Sequence, residues 1–268
     1  MVYSADIIKT CLKFWINEKR INEWFESRTV FFMLGIGRSG TKFLADILNK
    51  IQNAIVFHEP IPEDFKALVE AHKSGEAARK YIKTFRKKKM FEIVKNQSIN
   101  VYGEANSNLR FHPQALMESF PNAKFLHVVR DGRDVVRSIM ARKHYTGSVA
   151  GHHELRPRDD DPFLEHWDQM RRFEKVCWLW ADANRRIRRD IFQYVKFEYL
   201  VSDYDYFIKN IEAYLGIEIG EVLWNEVVSK PTNITKRFNL PKWTEWDDSL
   251  IQAFNSICAE EMEYFGYY

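Results

Sequence analysis

Cysteine is scarce in this 268-residue chain, and what there is does not pair: Cys11, Cys177 and Cys258 lie far apart, form no CxxC, and leave one unmatched in any disulfide scheme. That excludes a disulfide framework, and a reducing compartment is the simpler home. No apolar run reaches the length of about 20 residues that a membrane helix needs. The opening stretch MVYSADIIKTCLKFWINEKR also lacks the basic start and long apolar segment of a secretory signal. A cytoplasmic protein without a membrane span is expected, although a lumenal enzyme separated from its anchor would read the same. An excess of one charge is missing too. With 40 basic and 37 acidic residues the formal charge is +3, so no global field calls for nucleic acid or a membrane surface, and any hold on an anion must be local. Internal repeats, low-complexity tracts and linkers are absent as well.

What is present reads as one α/β domain. A hydrophobic share of 46% with 29% charged residues is ordinary for a globule, and the 15% aromatic share argues for a well-filled core or an aromatic-lined cleft. Residues 5 to 26 place Ile7, Ile8, Cys11, Leu12, Trp15, Ile16, Ile21, Trp24 and Phe25 near the helical period. The expected organisation is therefore an N-terminal amphipathic helix within 1–28 packed on a domain spanning 29–268. TVFFML (29–34), AIVF (54–57), INVYGEA (99–105), FLHVV (125–129) and YVKF (194–197) read as short buried strands. Helical stretches are expected at about 62–95, 113–120, 132–142 and 163–190, lengths suited to crossovers between parallel strands. The alternation implies a central parallel sheet of about five strands with helices on both faces. In such sheets ligands gather beyond the carboxyl ends of the strands, which is where Gly35 to Thr41, Glu59, Glu104 and Arg130 fall.

Two segments carry the chemistry. In GIGRSGTKFL (35–44) glycines permit a tight turn whose successive N–H groups point at an oxyanion where the next helix starts. Gly37 and Gly40 shape that turn, Ser39 and Thr41 add hydroxyls, and Arg38 adds a permanent charge. In FLHVVRDGRDVVRS (125–138) Arg130 closes the strand, and Ser138 stands eight residues on, on the second turn of the following helix, close enough to share one phosphate with it. Two such grips imply a ligand with two separated anions. The order Thr41-Lys42 departs from the nucleotide-triphosphate loop GxxxxGK[ST]: moving the lysine one place rotates it by about 100° on a helix and displaces the hydroxyl that would hold Mg²⁺. Arg130 likewise stands where such an enzyme wants a carboxylate, although Asp131, one residue late, keeps a P-loop kinase or NTPase open as an alternative. A non-catalytic binder of anionic glycans or nucleic acid through the basic runs RKYIKTFRKKK (79–89) and RRIRR (185–189) is the other, against the usual role of a charge run as a solvated helix face.

With these motifs the chain resembles the sulfotransferases that use 3′-phosphoadenosine 5′-phosphosulfate (PAPS), more closely the carbohydrate-type and bacterial members. GRSGTKF looks like the family's 5′-phosphosulfate loop, and Arg130 with Ser138 matches its 3′-phosphate pair. VKFEYL (195–200) resembles the segment near the adenine, and TKRFNLPKW (235–243) with a final helix ending in FGYY looks like the C-terminal closure, so the likeness runs over about residues 29 to 268. The resemblance implies a P-loop-like sulfotransferase fold and transfer of a sulfuryl group from PAPS to an acceptor hydroxyl, without a metal. Nucleotide contacts are implied at Gly37, Arg38, Ser39, Gly40, Thr41, Lys42, Arg130 and Ser138. By position, Phe43 and Phe197 would contact adenine, and Lys236 and Arg237 would reach the 3′-phosphate. Phe197 stands where a tyrosine is common and Phe238 where a glycine is common.

An alcohol is a weak nucleophile at neutral pH, so a general base is expected near the transferring group. Glu59 is the choice: it follows the second strand, Pro60 restrains its turn, and it falls beside the first anion loop, where the resemblance places a catalytic glutamate. Arg38 is the expected stabiliser of the transferring group. Glu104 and His58 are the fallback bases, and the histidine some members carry after the third strand falls here near Asn106 and Ser107, neither of which can act as one. The acceptor is expected to be a sugar or small alcohol, with YTGSVAGHHELRPRDDDP (145–162) as its lid or acceptor loop. His152, His153, Glu154 and Asp159 to Asp161 in that loop hold metal-capable atoms without a ligand spacing. Trp178 and Trp180 lie two apart on a predicted helix, so one is expected in the core and the other along a cleft.

Overall fold

TVFFML is apolar on both sides of its pleat because both faces of its strand are covered. The computed structural model describes residues 17–147, 155–230, 235 and 237–268. The strands β1 (Thr29–Leu34), β2 (Ala54–His58), β3 (Val101–Asn106), β4 (Lys124–Val129) and β5 (Tyr194–Lys196) form one parallel sheet in the order β2-β3-β1-β4-β5. Val30, Phe32 and Leu34 of β1 point into one apolar cluster and Phe31 and Met33 into another, which is the period-two alternation of a strand with a core on each side.

The helices follow the strands as crossovers. A helix over 17–26 (α1) sends Ile21 and Phe25 into the larger cluster. Next come α2 (Thr41–Leu48), α3 (Asp64–Lys73), α4 (Gly75–Tyr81), α5 (Lys87–Val94), α6 (Pro113–Ser119), α7 (Gly132–Met140) and α8 (Arg172–Asp190). The short helices α9 (Phe197–Leu200), α10 (Tyr204–Phe207), α11 (Ala213–Leu215) and α12 (Glu221–Val228) cover the second face, and α13 (Asp248–Tyr264) packs on α8. The successor of β1 is not its neighbour: β3 flanks it on one side and β4 on the other. The sheet therefore reverses direction of growth at β1, and the crevice beyond its carboxyl end is the place where such sheets take ligands.

Three expectations change. The helix expected at 163–190 begins only at Arg172, because Asp161 accepts from the Phe163 N–H at 2.9 Å in a turn and Glu174 reaches back to the Arg171 N–H at 2.6 Å, capping the new start. Phe197 is not the end of β5 but the first residue of α9. Trp178 and Trp180 are both fully buried, since residues 176–184 of α8 are covered all round, by α7 and α13 and by Asp161 and Trp167. Trp178 satisfies its indole N–H on Asp161 at 2.8 Å, and Trp180 lies against Gly132, where an added Cβ would meet the ring at 3.0 Å.

The basic run at 79–89 is no solvated face throughout. A π-helical turn, Ile82–Arg86, links α4 to α5, and Arg86 is fully buried. In the run 185–189, Arg186 pairs with Asp182 at 2.8 Å and Arg188 with Glu260 and Glu261 at 2.6 and 2.8 Å. Arg86, Arg186 and Arg188 are thus held in ion pairs of the fold, whereas Arg79, Lys80, Lys83, Lys88, Lys89 and Arg189 are exposed. Among the described residues no helix is long and apolar enough to cross a membrane.

Candidate active site

Beyond the carboxyl ends of β1, β2, β3 and β4 the protein opens into a cavity of about 340 Å³, walled by the loop after β1, the loop after β2, the segment after β3 and Arg130. The loop after β1 is shaped by glycine at two positions. A Cβ on Gly35 would lie 2.5 Å from the Val128 carbonyl oxygen, so only glycine lets β1 leave the sheet so close to β4. Gly40 sits at φ 103°, and a Cβ there would lie 2.1 Å from the Phe197 ring. Phe197 is thus pressed against the anion loop, with Phe43 edge-on at 5.9 Å and the Arg130 guanidinium 5.1 Å from its centroid.

Two side chains named for the chemistry stand on backbone that non-glycine residues avoid. Among the described residues only Arg38, Asn53, Glu59 and Tyr145 have positive φ without being glycine, at 80°, 57°, 50° and 53°. Asparagine tolerates this region, but arginine and glutamate do not gain from it, and such strain persists where the surroundings over-determine it, typically at working sites. Arg38 and Glu59 both line the cavity.

Around Arg38 the structure gathers cations. Its Nε donates to Ser138 Oγ at 2.9 Å and its Nη2 to Thr235 Oγ1 at 3.1 Å, the two hydroxyls being 3.0 Å apart. Arg130 Nη1 donates to the Arg38 carbonyl at 3.3 Å, and its Nη2 lies 3.4 Å from Asp134. Burial and then the neighbouring charges of Arg142 and Arg130 lower the pKa of Arg38. Like charges are costly to hold together in a partly desolvated corner, and an anion delivered there would relieve them.

Glu59 is aimed by β3. Its Oε1 accepts from the Ser107 backbone N–H at 3.3 Å and from the Ser107 hydroxyl in a very short bond. His58 lies beside it, with Nε2 at 4.0 Å from Glu59 and at 3.3 Å from Thr41 Oγ1. Burial lowers the His58 pKa more than the Glu59 charge raises it, so the ring is neutral at neutral pH. Glu104, the other carboxylate named for the base, is fully buried and belongs to a structural network. It takes a 2.5 Å bond from Arg86, a short one from the Tyr102 hydroxyl, and one of 3.1 Å from Asn106. Arg86 also grips Asp64 through two bonds of 2.8 and 2.9 Å, and Asn106 reaches Asp64 at 3.1 Å. The network pins the end of β3, hence Ser107, hence Glu59; Glu104 itself has no access to a substrate.

The other named residues divide. Gly37, Gly40, Thr41, Lys42, Phe43, Arg130 and Phe197 line the cavity with Arg38 and Glu59. Ser39 is turned inward instead: its hydroxyl is buried and donates to the Ile36 carbonyl at 2.7 Å, so it braces the loop and offers no hydroxyl to a ligand. Lys42 reaches into the wall but is tied to Asp46 at 2.7 Å, one helical turn along. Ser138 is brought to Arg38. Arg237 is exposed and outside the cavity wall, and Lys236 lies outside the described residues, as do His152, His153 and Glu154 of the proposed acceptor loop. Among the described residues no group of three or more His, Cys, Asp or Glu is placed to hold a metal. Thr235, Arg110 and His144 were not singled out by the sequence, and Ser107 was named only as unable to act as a base; single polar residues in irregular segments carry no spacing signal that could have marked their roles.

The sequence profile described as "Sulfotransferase family" matches residues 31–221, which takes in the anion loop, Glu59, Arg130 and Phe197. The chain belongs to the sulfotransferase family. Among solved structures, a sulfotransferase from Alicyclobacillus acidocaldarius is 16% identical with a TM-score of 0.51, the alignment covering 88% of this chain and 93% of that one. A second, from Mycobacterium avium, is 14% identical with a TM-score of 0.52, covering 89% of this chain and 77% of its own. A mouse sulfotransferase solved with PAP is 14% identical over 92% of this chain and 89% of that one, at a TM-score of 0.48. Identities this low establish the fold alone, and no curated protein matches the sequence. The single α/β domain with its five-stranded parallel sheet is the sulfotransferase fold read from the motifs.

Proposed function

We propose that this sulfotransferase transfers a sulfuryl group from PAPS to an acceptor hydroxyl, a sugar or small alcohol, with Glu59 as general base and Arg38 at the transferring group. The observation that carries the reading is the meeting of Arg38, Arg130 and Ser138 at the ends of β1 and β4, a cation-rich corner beside a glycine-shaped anion loop. Phosphate at the 3′ position of a nucleoside suits Arg130 and Ser138, and the 5′-phosphosulfate suits the loop of Gly37, Gly40, Thr41 and Lys42. Phe43 and Phe197 offer an aromatic wall for adenine. Glu59 takes the acceptor proton as the new S–O bond forms, and the bond to the phosphate oxygen breaks with its electron pair leaving on adenosine 3′,5′-bisphosphate. Arg38 offsets the negative charge that develops on the bridging oxygen. Because its guanidinium now rests on Ser138 and Thr235, Arg38 must turn by a side-chain rotation when the 3′-phosphate takes Ser138. Lys42 held by Asp46 and a cation at the end of β4 are ill suited to the kinase alternative.

Incubation with ³⁵S-labelled PAPS and pooled glycans, lipids and small metabolites tests the activity. Label is expected to pass to an acceptor without added Mg²⁺ and to remain in PAPS with the Arg38→Gln variant. ATP turnover dependent on Mg²⁺, with no transfer of label, would overturn the reading.

A further inference from the structure

Arg110 is the buried charge that this mechanism leaves unused. It follows β3 by a few residues and is only 4% exposed. Nη1 donates to the Ser107 carbonyl at 2.8 Å and the guanidinium lies 5.0 Å from the Phe111 ring centroid, but Nε is buried without a hydrogen-bond partner. No described carboxylate forms an ion pair with it. Burial, the largest cause, brings its pKa down to about 10, while Tyr145, Asp182 and Glu59 act in the opposite direction and Arg186 repels it. A buried cation that forms no ion pair with a described carboxylate is expensive to keep, and an anion bound beside it would lower that cost.

The place of Arg110 says where that partner would sit. It lines the active-site cavity together with Glu59, Ser107 and His144, and also a second cavity of about 110 Å³ whose charged walls add Arg79, Arg158, Arg186, Arg189 and Asp190. Ser107 links the two working groups: its N–H and hydroxyl hold Glu59, and its carbonyl holds Arg110. Two hydrogen bonds and the width of one residue keep the Glu59 oxygen and the Arg110 nitrogen within about 10 Å of each other. One small molecule spans that distance.

We propose that Arg110 binds an oxyanion carried by the acceptor, so that the acceptor is a hydroxy compound bearing a carboxylate or a sulfate or phosphate ester. The proposal rests on the sulfotransferase reading of Glu59 as the base that meets the acceptor hydroxyl. It makes Arg110 a specificity residue: the anion docks on Arg110 while the hydroxyl turns to Glu59.

The test is the thermal midpoint of the full chain titrated, at fixed ionic strength, with sodium sulfate and separately with sodium acetate, with and without adenosine 3′,5′-bisphosphate. The wild type is expected to show saturable stabilisation by sulfate if the acceptor group is a tetrahedral ester, or by acetate if it is a carboxylate. Arg110→Met and Arg110→Gln are expected to lose that affinity by about tenfold or more, with Arg110→Lys recovering part of it. Nucleotide affinity is expected to be the same in all four proteins. Equal anion response in Arg110→Met, no saturable response in the wild type, or failure of all three variants to fold would each overturn the proposal. Failure of the nucleotide to bind would instead remove the sulfotransferase reading, and the difference between wild type and Arg110→Met is read independently of it.

Discussion

Glu59→Gln is expected to lower turnover by roughly 10²–10⁴-fold, the usual worth of a positioned general base. The amide is nearly the same size and its oxygen can still accept from the Ser107 N–H and hydroxyl, so the side chain keeps its place while losing its basicity. Nucleotide affinity and thermal stability should be unchanged, because among the described residues that carboxylate accepts hydrogen bonds from Ser107 alone. Steady-state kinetics beside a nucleotide titration separates these quantities. Unchanged turnover would hand the base to another group, and His58, 4.0 Å away and kept neutral by burial, is the next to examine.

Arg86→Met is expected to destabilise the fold by about 3–5 kcal/mol, the cost of leaving buried charges without their partner. Methionine fills similar space, but Asp64 and Glu104 would remain facing each other with only the neutral Tyr81, Tyr102 and Asn106 as donors. Against a total stability of about 5–15 kcal/mol, the variant stands near the edge of folding at physiological temperature. Denaturant unfolding of both proteins measures the loss. A change under about 1 kcal/mol would mean that the network does not hold the end of β3, and with it the account of how Glu59 is aimed would fail.

The contrast between these two glutamates shows how far the sequence could be read. Glu59 and Glu104 both follow or end apolar strands at one sheet edge, and nothing in their local patterns separates an active-site carboxylate from a buried ion partner. The separation comes from Arg86, eighteen residues before Glu104, which lies in a π-helical turn and enters the core on the same face as Ile82 and Met90. β1 was legible because it is covered on both faces and so reads as an uninterrupted apolar run, while β3 and β4 were legible from shorter apolar stretches broken by Glu104 and His127. The start of α8 was not, because a turn at Asp161 and a capping glutamate at position 174 override an apolar rhythm that runs on without a break. The anion loop was legible as spacing, whereas the inward turn of Ser39 depends on the Ile36 carbonyl and has no sequence mark. Arg110 is one of 40 basic residues, and its burial with no ion pair among the described residues sets it apart.

The central claim is that the site is built for a nucleoside carrying anions at both its 5′ and its 3′ positions. Calorimetric titration of the wild type with adenosine 3′,5′-bisphosphate and with adenosine 5′-monophosphate tests it most directly. The bisphosphate is expected to bind roughly 100-fold more tightly, the worth of the added charge-assisted bonds from Arg130 and Ser138. Equal affinity for the two nucleotides would contradict the account.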